Sequence, residues 1–192
     1  MKRFAALTAV ALLSALLAPS ATASTIEGVR FAKRIDVGEA ALRLHGTGLL
    51  RYRIFIKGYV AALYLDESFV AEPDPSTVLG DTARRLEIEY FWSIRAEDFA
   101  RATRLGMARN TAPAALESMA PRIEQINALY RDVDPGDRYA LTYLPGVGTE
   151  LALNGRSLGV VEGDDFAAAL FAIWIGERPL DEALRDQLLV RQ

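Results

Sequence analysis

The residues best suited to chemistry are Arg51, Arg53, Lys57 and Tyr59, because two-residue spacing puts them with Phe55 on one strand face if no bulge intervenes. A cation beside aromatic rings neutralises one carboxylate or enolate while the rings enclose an apolar body. The same spacing also fits a solvated basic stripe, since arginine and lysine are mostly surface residues. His45 is the only histidine, and on the outward side of an alternating strand it reads as a surface residue rather than a base. Gly155-Arg156-Ser157-Leu158-Gly159 matches the nucleophile-elbow string, but it opens a hairpin strand and no histidine follows the serine. Gly46-Thr47-Gly48 lacks the third glycine and the following helix of a dinucleotide fingerprint, and it reads as a turn with close backbone packing. Asp164 and Asp165 read as helix N-terminal caps, where exposed backbone amides favour carboxylates. With no cysteine and one histidine, and with Asp and Glu scattered, neither a metal site nor a cofactor is expected.

The elements that must hold these residues follow from periodicity. Val29 to Arg34 and Ala41 to His45 alternate as strands, and Arg51 to Tyr64 continues as one strand with Tyr52, Ile54, Ile56, Val60, Ala62 and Tyr64 on its apolar face. Pro73-Asp74-Pro75-Ser76 is a turn and helix start, and Arg84 to Phe91 is a further strand. Helical spacing runs from Arg95 to Arg109 and from Ala112 to Tyr130, with Pro121 restarting the second segment. Tyr139, Leu141 and Tyr143 alternate after the turn at Asp134-Pro135-Gly136-Asp137, and Asn154-Gly155 joins Glu150–Leu153 to Arg156–Val161 as a hairpin. Asp164 to Trp174 is a helix closed by Gly176, and Asp181 to Val190 is the last, amphipathic one. Trp174, Phe171 and Phe166 are core residues by spacing and can also wall a pocket. Hairpins with helices inserted between them predict an α+β domain, an antiparallel sheet layered with helices.

Lys2 and Arg3, the apolar run Phe4 to Ala18 and the small residues Ala21-Thr22-Ala23 have the layout of a cleavable secretory signal over residues 1–23. The apolar run is too short to span a bilayer. Removing it takes away two positive charges and no acid, moving the net charge from −3 to −5. About 169 residues remain, residues 24–192, enough for one domain with its own core. A periplasmic or secreted location is the expectation, and an acidic balance argues against a nucleic-acid partner.

The run Leu44-His45-Gly46-Thr47-Gly48 leading into Phe55-Ile56-Lys57-Gly58-Tyr59 and on to Leu65 reads as a glycine-turned pair of strands and resembles the chalcone isomerase superfamily. Asn154-Gly155, Gly159, Gly163-Asp164-Asp165-Phe166 and Ile173-Trp174-Ile175-Gly176 carry the resemblance again in the same order. It implies an open-faced β-sandwich. True chalcone isomerases use an arginine and a threonine on these strands, polar groups on a helix and a polar side chain on the late helix. Here the resemblance puts Thr47, or Arg51 after a gap, at the arginine position and Tyr59 at the threonine position. Phe99, Ala102 and Gly106 fall near the helix positions, and Ile173 takes the late one. Apolar replacements cannot stabilise a phenolate or enolate, so the resemblance implies the fold without the isomerase. Non-catalytic relatives bind fatty acids, and the implied function is binding of a fatty acid or similar small amphipathic anion. Arg51 would then hold the carboxylate while Tyr59, Phe99, Ile173 and Trp174 line the cleft. Two alternatives stay open: an isomerase or lyase with Tyr59 as general acid, and an interaction module of the cell envelope.

Overall fold

The structure is a computed structural model that describes residues 23–52, 56–69 and 74–191. The signal at residues 1–23 lies, but for Ala23, outside the described residues, as do Arg53, Ile54, Phe55 and Pro73. A short hairpin, β1 (Ala23–Ile26) and β2 (Val29–Ala32), precedes a seven-stranded antiparallel sheet in sequential order. Its strands are β3 (Arg34–Val37), β4 (Ala40–Tyr52), β5 (Ile56–Asp66), β6 (Arg84–Tyr90), β7 (Arg138–Leu144), β8 (Gly148–Leu153) and β9 (Arg156–Val161). The helices are α1 (Pro75–Val78), α2 (Ala96–Asn110), α3 (Pro113–Ser118), α4 (Ala120–Leu129), α5 (Asp164–Ile175) and α6 (Glu182–Leu189). Asp74 caps α1 through the amides of Ser76 and Thr77, and Pro121 sits in the first turn of α4, where its missing N–H costs nothing.

Both faces of the central strands are buried, which is why β5 carries apolar residues at nearly every position. Tyr59, Ala61, Leu63 and Leu65 join the larger core with the helices; Val60, Ala62 and Tyr64 face a second core under the β1–β2 hairpin. Arg138 latches that hairpin down. Its guanidinium pairs with Glu87 at 3.1 Å and Glu89 at 2.6 Å, donates to the Arg30 carbonyl at 3.1 Å, and stacks over the Phe31 ring at 4.6 Å.

The structure departs from several sequence expectations. Gly46-Thr47-Gly48 is no turn: it runs through the middle of β4, and the reversal between β4 and β5 falls after Tyr52. What the glycines provide is room, because a Cβ on Gly46 would lie 2.3 Å from the Leu188 carbonyl oxygen and one on Gly48 2.7 Å from Leu184 Cδ1. The close-packing half of the reading therefore stands, with α6 as the packed partner. His45 is buried rather than on the surface, since the register shift between Leu44 and Gly46 redirects its side chain, and its Nε2 meets the Leu189 carbonyl at 3.0 Å. Finally, Gly163 is the N-cap of α5; Asp164 and Asp165 lie in its first turn, accepting from Tyr143 Oη at 2.9 Å and from Arg122 at 2.6 and 2.8 Å.

Candidate functional site

A cavity of about 170 Å³ lies between the sheet and the helices. Its floor is the inward face of β5 to β8, with Tyr59, Leu86, Ile88, Tyr90, Tyr139, Leu141 and Leu151. Its roof is Phe99, Ala102 and Thr103 of α2, Tyr130 after α4, and Ile173 and Trp174 of α5. Exposed Ala102 and Leu180 and half-buried Trp174 mark the side that opens to solvent. Asn110 fixes that rim by donating to the Arg178 carbonyl at 2.9 Å and accepting from the Arg178 amide at 2.9 Å.

Aromatic edges and faces build the interior. Tyr90 meets Tyr59, Phe99 and Tyr139 edge to face at centroid distances of 5.7, 5.3 and 6.1 Å, and Phe99 stacks on Tyr130 at 5.4 Å. Three of the four phenols are engaged. Tyr59 Oη accepts from Trp174 Nε1 at 3.1 Å, Tyr130 Oη shares a 2.8 Å hydrogen bond with Thr103, and Tyr139 Oη accepts from the Arg131 amide at 2.7 Å and donates to its carbonyl at 2.8 Å. Tyr90 Oη has no hydrogen-bond partner among the described residues.

Burial dominates the electrostatics here. It pushes Tyr130 up to about 12 and raises Tyr59, Tyr90 and Tyr139 above the ordinary tyrosine value, because a phenolate in an apolar cavity loses its hydration. All four are therefore neutral at physiological pH, and none is tuned toward the near-neutral pKa that suits a general acid or base. Asp98 is the single charged lining residue described; it lies at the rim, 3.6 Å from both Arg95 and Arg101. Among the described residues no group of three or more His, Cys, Asp or Glu is placed to hold a metal ion. The arrangement can enclose an apolar body and offer it phenolic hydrogen bonds.

Of the five residues singled out from sequence, the structure brings Tyr59, Phe99, Ile173 and Trp174 into this cavity and leaves Arg51 outside it. Alternation predicts Arg51 on one face with Phe55 and Tyr59 of one continuous strand. Instead the chain reverses between Tyr52 and Ile56, Arg51 pairs in register with Lys57, and a shift between Leu50 and Arg51 breaks the alternation. Arg51 lies in a shallow groove between the β1–β2 turn and α6, with Glu27 3.5 Å away; Lys57 binds the same carboxylate at 2.5 Å. Those two cations, Lys57 first through its hydrogen bond, hold the Glu27 carboxyl below its usual range. Thr47 is buried in β4 and is also absent from the lining. Tyr90, Tyr130, Tyr139 and Thr103 were not singled out. Their signal was present for the strand pair, since Tyr90 alternates with Ile88 and Tyr139 with Leu141, but their convergence needs the register of β6 against β7.

No curated protein sequence matches this chain. Among solved structures, it is similar to the crystal structure of a fatty-acid-binding protein of Arabidopsis thaliana, with a TM-score of 0.64 at 16% identity, covering 88% of this chain and 96% of that one. The correspondence is one of fold, an antiparallel sheet layered with helices. Residues 23–190 match a family model described as chalcone isomerase-like, and with nearly all of the described chain inside that match, the protein belongs to the chalcone isomerase-like family.

Proposed function

We propose that this protein is an exported, non-catalytic binding protein that takes the apolar body of a small amphipathic molecule into the cavity between α2, α5 and the sheet. The observation that carries the reading is the composition of that cavity: aromatic and aliphatic walls, phenols held neutral by burial, and no convergent acid and base among the described residues. A volume of about 170 Å³ takes one six-membered ring or the end of an acyl chain. The remainder of a longer chain passes out beside Ala102 and Leu180. The fatty acid named for the Arabidopsis neighbour makes acyl chains the first ligands to try.

Export is supported by the charged start, short apolar run and Ala21-Thr22-Ala23 site. One preparation tests both halves. The protein is isolated from the envelope of its own host, sequenced from its N-terminus, and weighed by native mass spectrometry before and after solvent extraction. A start near Ser24 and an extractable mass are expected. Intact Met1 in the exported fraction refutes the processing, and an unchanged mass together with no uptake of added acyl or aromatic ligands refutes the binding function.

A further inference from the structure

Resting on that binding function, we infer that the ligand group entering the cavity carries an uncharged hydroxyl or carbonyl oxygen, received by Tyr90 and Tyr59, and not a carboxylate. Tyr59 and Tyr90 are direct register partners across β5 and β6, and both line the cavity. Each is more than nine-tenths buried, at 7% and 5% exposure. Tyr90 Oη has both its proton and its lone pairs uncommitted among the described residues. Tyr59 Oη accepts from Trp174, which leaves its proton to donate. Each phenol therefore has a donor free for a ligand oxygen, and Tyr90 also accepts from a hydroxyl.

A phenol without a partner at a cavity wall marks where a ligand oxygen gains most; Tyr64 Oη, Thr149 Oγ1, the Asn127 amide and two Arg84 nitrogens are unpaired as well, but none of these residues lines the cavity. The charge of that group follows from the walls. Among the described residues no arginine or lysine lines the cavity, and its one charged lining residue, Asp98, is an acid. A carboxylate drawn in would lose its hydration with no facing cation and with a like charge at the rim, whereas a neutral oxygen loses little and gains the phenolic bonds. The cavity volume of about 170 Å³ is just above the roughly 150 Å³ that accommodates benzene in an engineered apolar cavity. The ligand class is thus a neutral alcohol, phenol, aldehyde or ketone whose enclosed part is about one ring in size.

Three probes on one seven-carbon skeleton separate the terms: toluene, benzyl alcohol and benzoate, titrated at neutral pH by ligand-observed NMR into the processed protein and into the Tyr90→Phe and Tyr59→Phe variants. Benzyl alcohol should bind tightest and benzoate roughly tenfold or more weaker than it. Tyr90→Phe should weaken benzyl alcohol about 2- to 12-fold and leave toluene unchanged, the loss of one hydrogen bond. Tyr59→Phe should act in the same direction. Benzoate binding as tightly as the alcohol overturns the inference while leaving the binding function intact. Equal losses for toluene and benzyl alcohol in Tyr90→Phe also overturn it, because Tyr90 then contributes packing alone. If none of the three probes binds, the inference is overturned, and the binding function is decided separately by the extractable mass and by uptake of acyl ligands.

Discussion

Substituting Gly46 by alanine tests whether the glycine pair in β4 is the seat of α6. An added Cβ would sit 2.3 Å from the Leu188 carbonyl oxygen and 2.7 Å from that of Gln187. Both are backbone atoms, so no side-chain rotation relieves the clash and the helix must lift. Leu184 and Leu188, the residues α6 inserts into the core, are 1% and 0% exposed. Burying each is worth about 1.5–3 kcal/mol, an upper bound because the unfolded chain already hides some surface. Alanine returns about 0.5–1 kcal/mol by restricting the unfolded chain at a strand position. The net expected loss is about 2–4 kcal/mol, a fall in Tm of about 5–12 °C for a domain of this size. Lifting α6 also separates His45 Nε2 from the Leu189 carbonyl and the Leu49 amide from Gln187 Oε1, contacts now at 3.0 and 3.1 Å. Leu188→Ala should cost about 2–5 kcal/mol on its own, and the double variant should fall short of the sum because both changes release one helix. A Gly46→Ala protein that melts within about 1 °C of the parent, or strict additivity of the two changes, refutes the account.

Three further outcomes follow from the geometry. Arg51→Ala should leave the affinity for any cavity ligand unchanged and shift stability by less than about 1 kcal/mol, since Arg51 makes a half-exposed pair with Glu27 outside the cavity; a tenfold loss of affinity by titration would return it to the site. Gly106→Ala gains about 1 kcal/mol of helix propensity but sets a Cβ 2.8 Å from Ile173 Cγ1 and 2.9 Å from Cγ2, on a branched side chain with little rotamer freedom. Overpacking of about 1–3 kcal/mol should prevail, with a lower Tm and weaker ligand binding as Ile173 is pushed into the cavity; a rise in Tm would show that α2 and α5 separate at no cost. Alkali should unfold the protein. Tyr130, held at about 12, stays protonated in the fold above the ordinary tyrosine value of about 10, so the unfolded state binds fewer protons there and stability falls as pH rises through that window. Tyr130 alone removes about 2 kcal/mol by about pH 12, Tyr59 and Tyr90 add to the loss, and nothing changes below about pH 9. Phenolate absorbance should rise together with loss of near-ultraviolet dichroism; ionisation of these tyrosines near pH 10 in an intact fold would contradict the burial argument.

Most of the architecture was legible because it rests on local chemistry. Asp74 before Pro75, Pro121 at a helix restart, Asn154-Gly155 between two alternating runs and Gly176 after an apolar helix each act within a few residues, and each marks an element end in the structure. Errors arose where alternation was extended through a change of register. The bulge after Leu44 turned His45 inward, and the unrecognised reversal after Tyr52 put Arg51 and Tyr59 on different strands. Period-two reasoning carries no record of either event, since a bulge or a hairpin inverts the inside-outside assignment without changing the residue types on either side. Tyr59, Phe99, Ile173 and Trp174 were reachable because their helical or strand neighbours already pointed to the core. Tyr130 and Thr103 meet only through the packing of α2 beside the end of α4, a tertiary relation with no sequence period.

The residues that carry the family resemblance include cavity walls, Tyr59, Ile173 and Trp174, and also glycines that seat one layer on another. Gly46 and Gly48 admit α6 to within contact of β4, and Gly106 admits α5 to α2; at each position any side chain collides with its neighbour. At Gly46 the colliding atoms are backbone, so a side chain there moves α6, and the glycine fixes that layer in place. The cavity asks less of each position. Inward sites at the Tyr59, Tyr90 and Tyr139 end of the sheet need only fill volume and satisfy their polar atoms, and many side chains do that. Phe99, Ala102 and Ile173 seat the helices and bring no group that steers a proton or an anion. The scaffold and the cavity lining can therefore change independently: the glycine seats hold the layers, while the character of the cavity is set by the phenols around it and by the absence of a cation among the described walls.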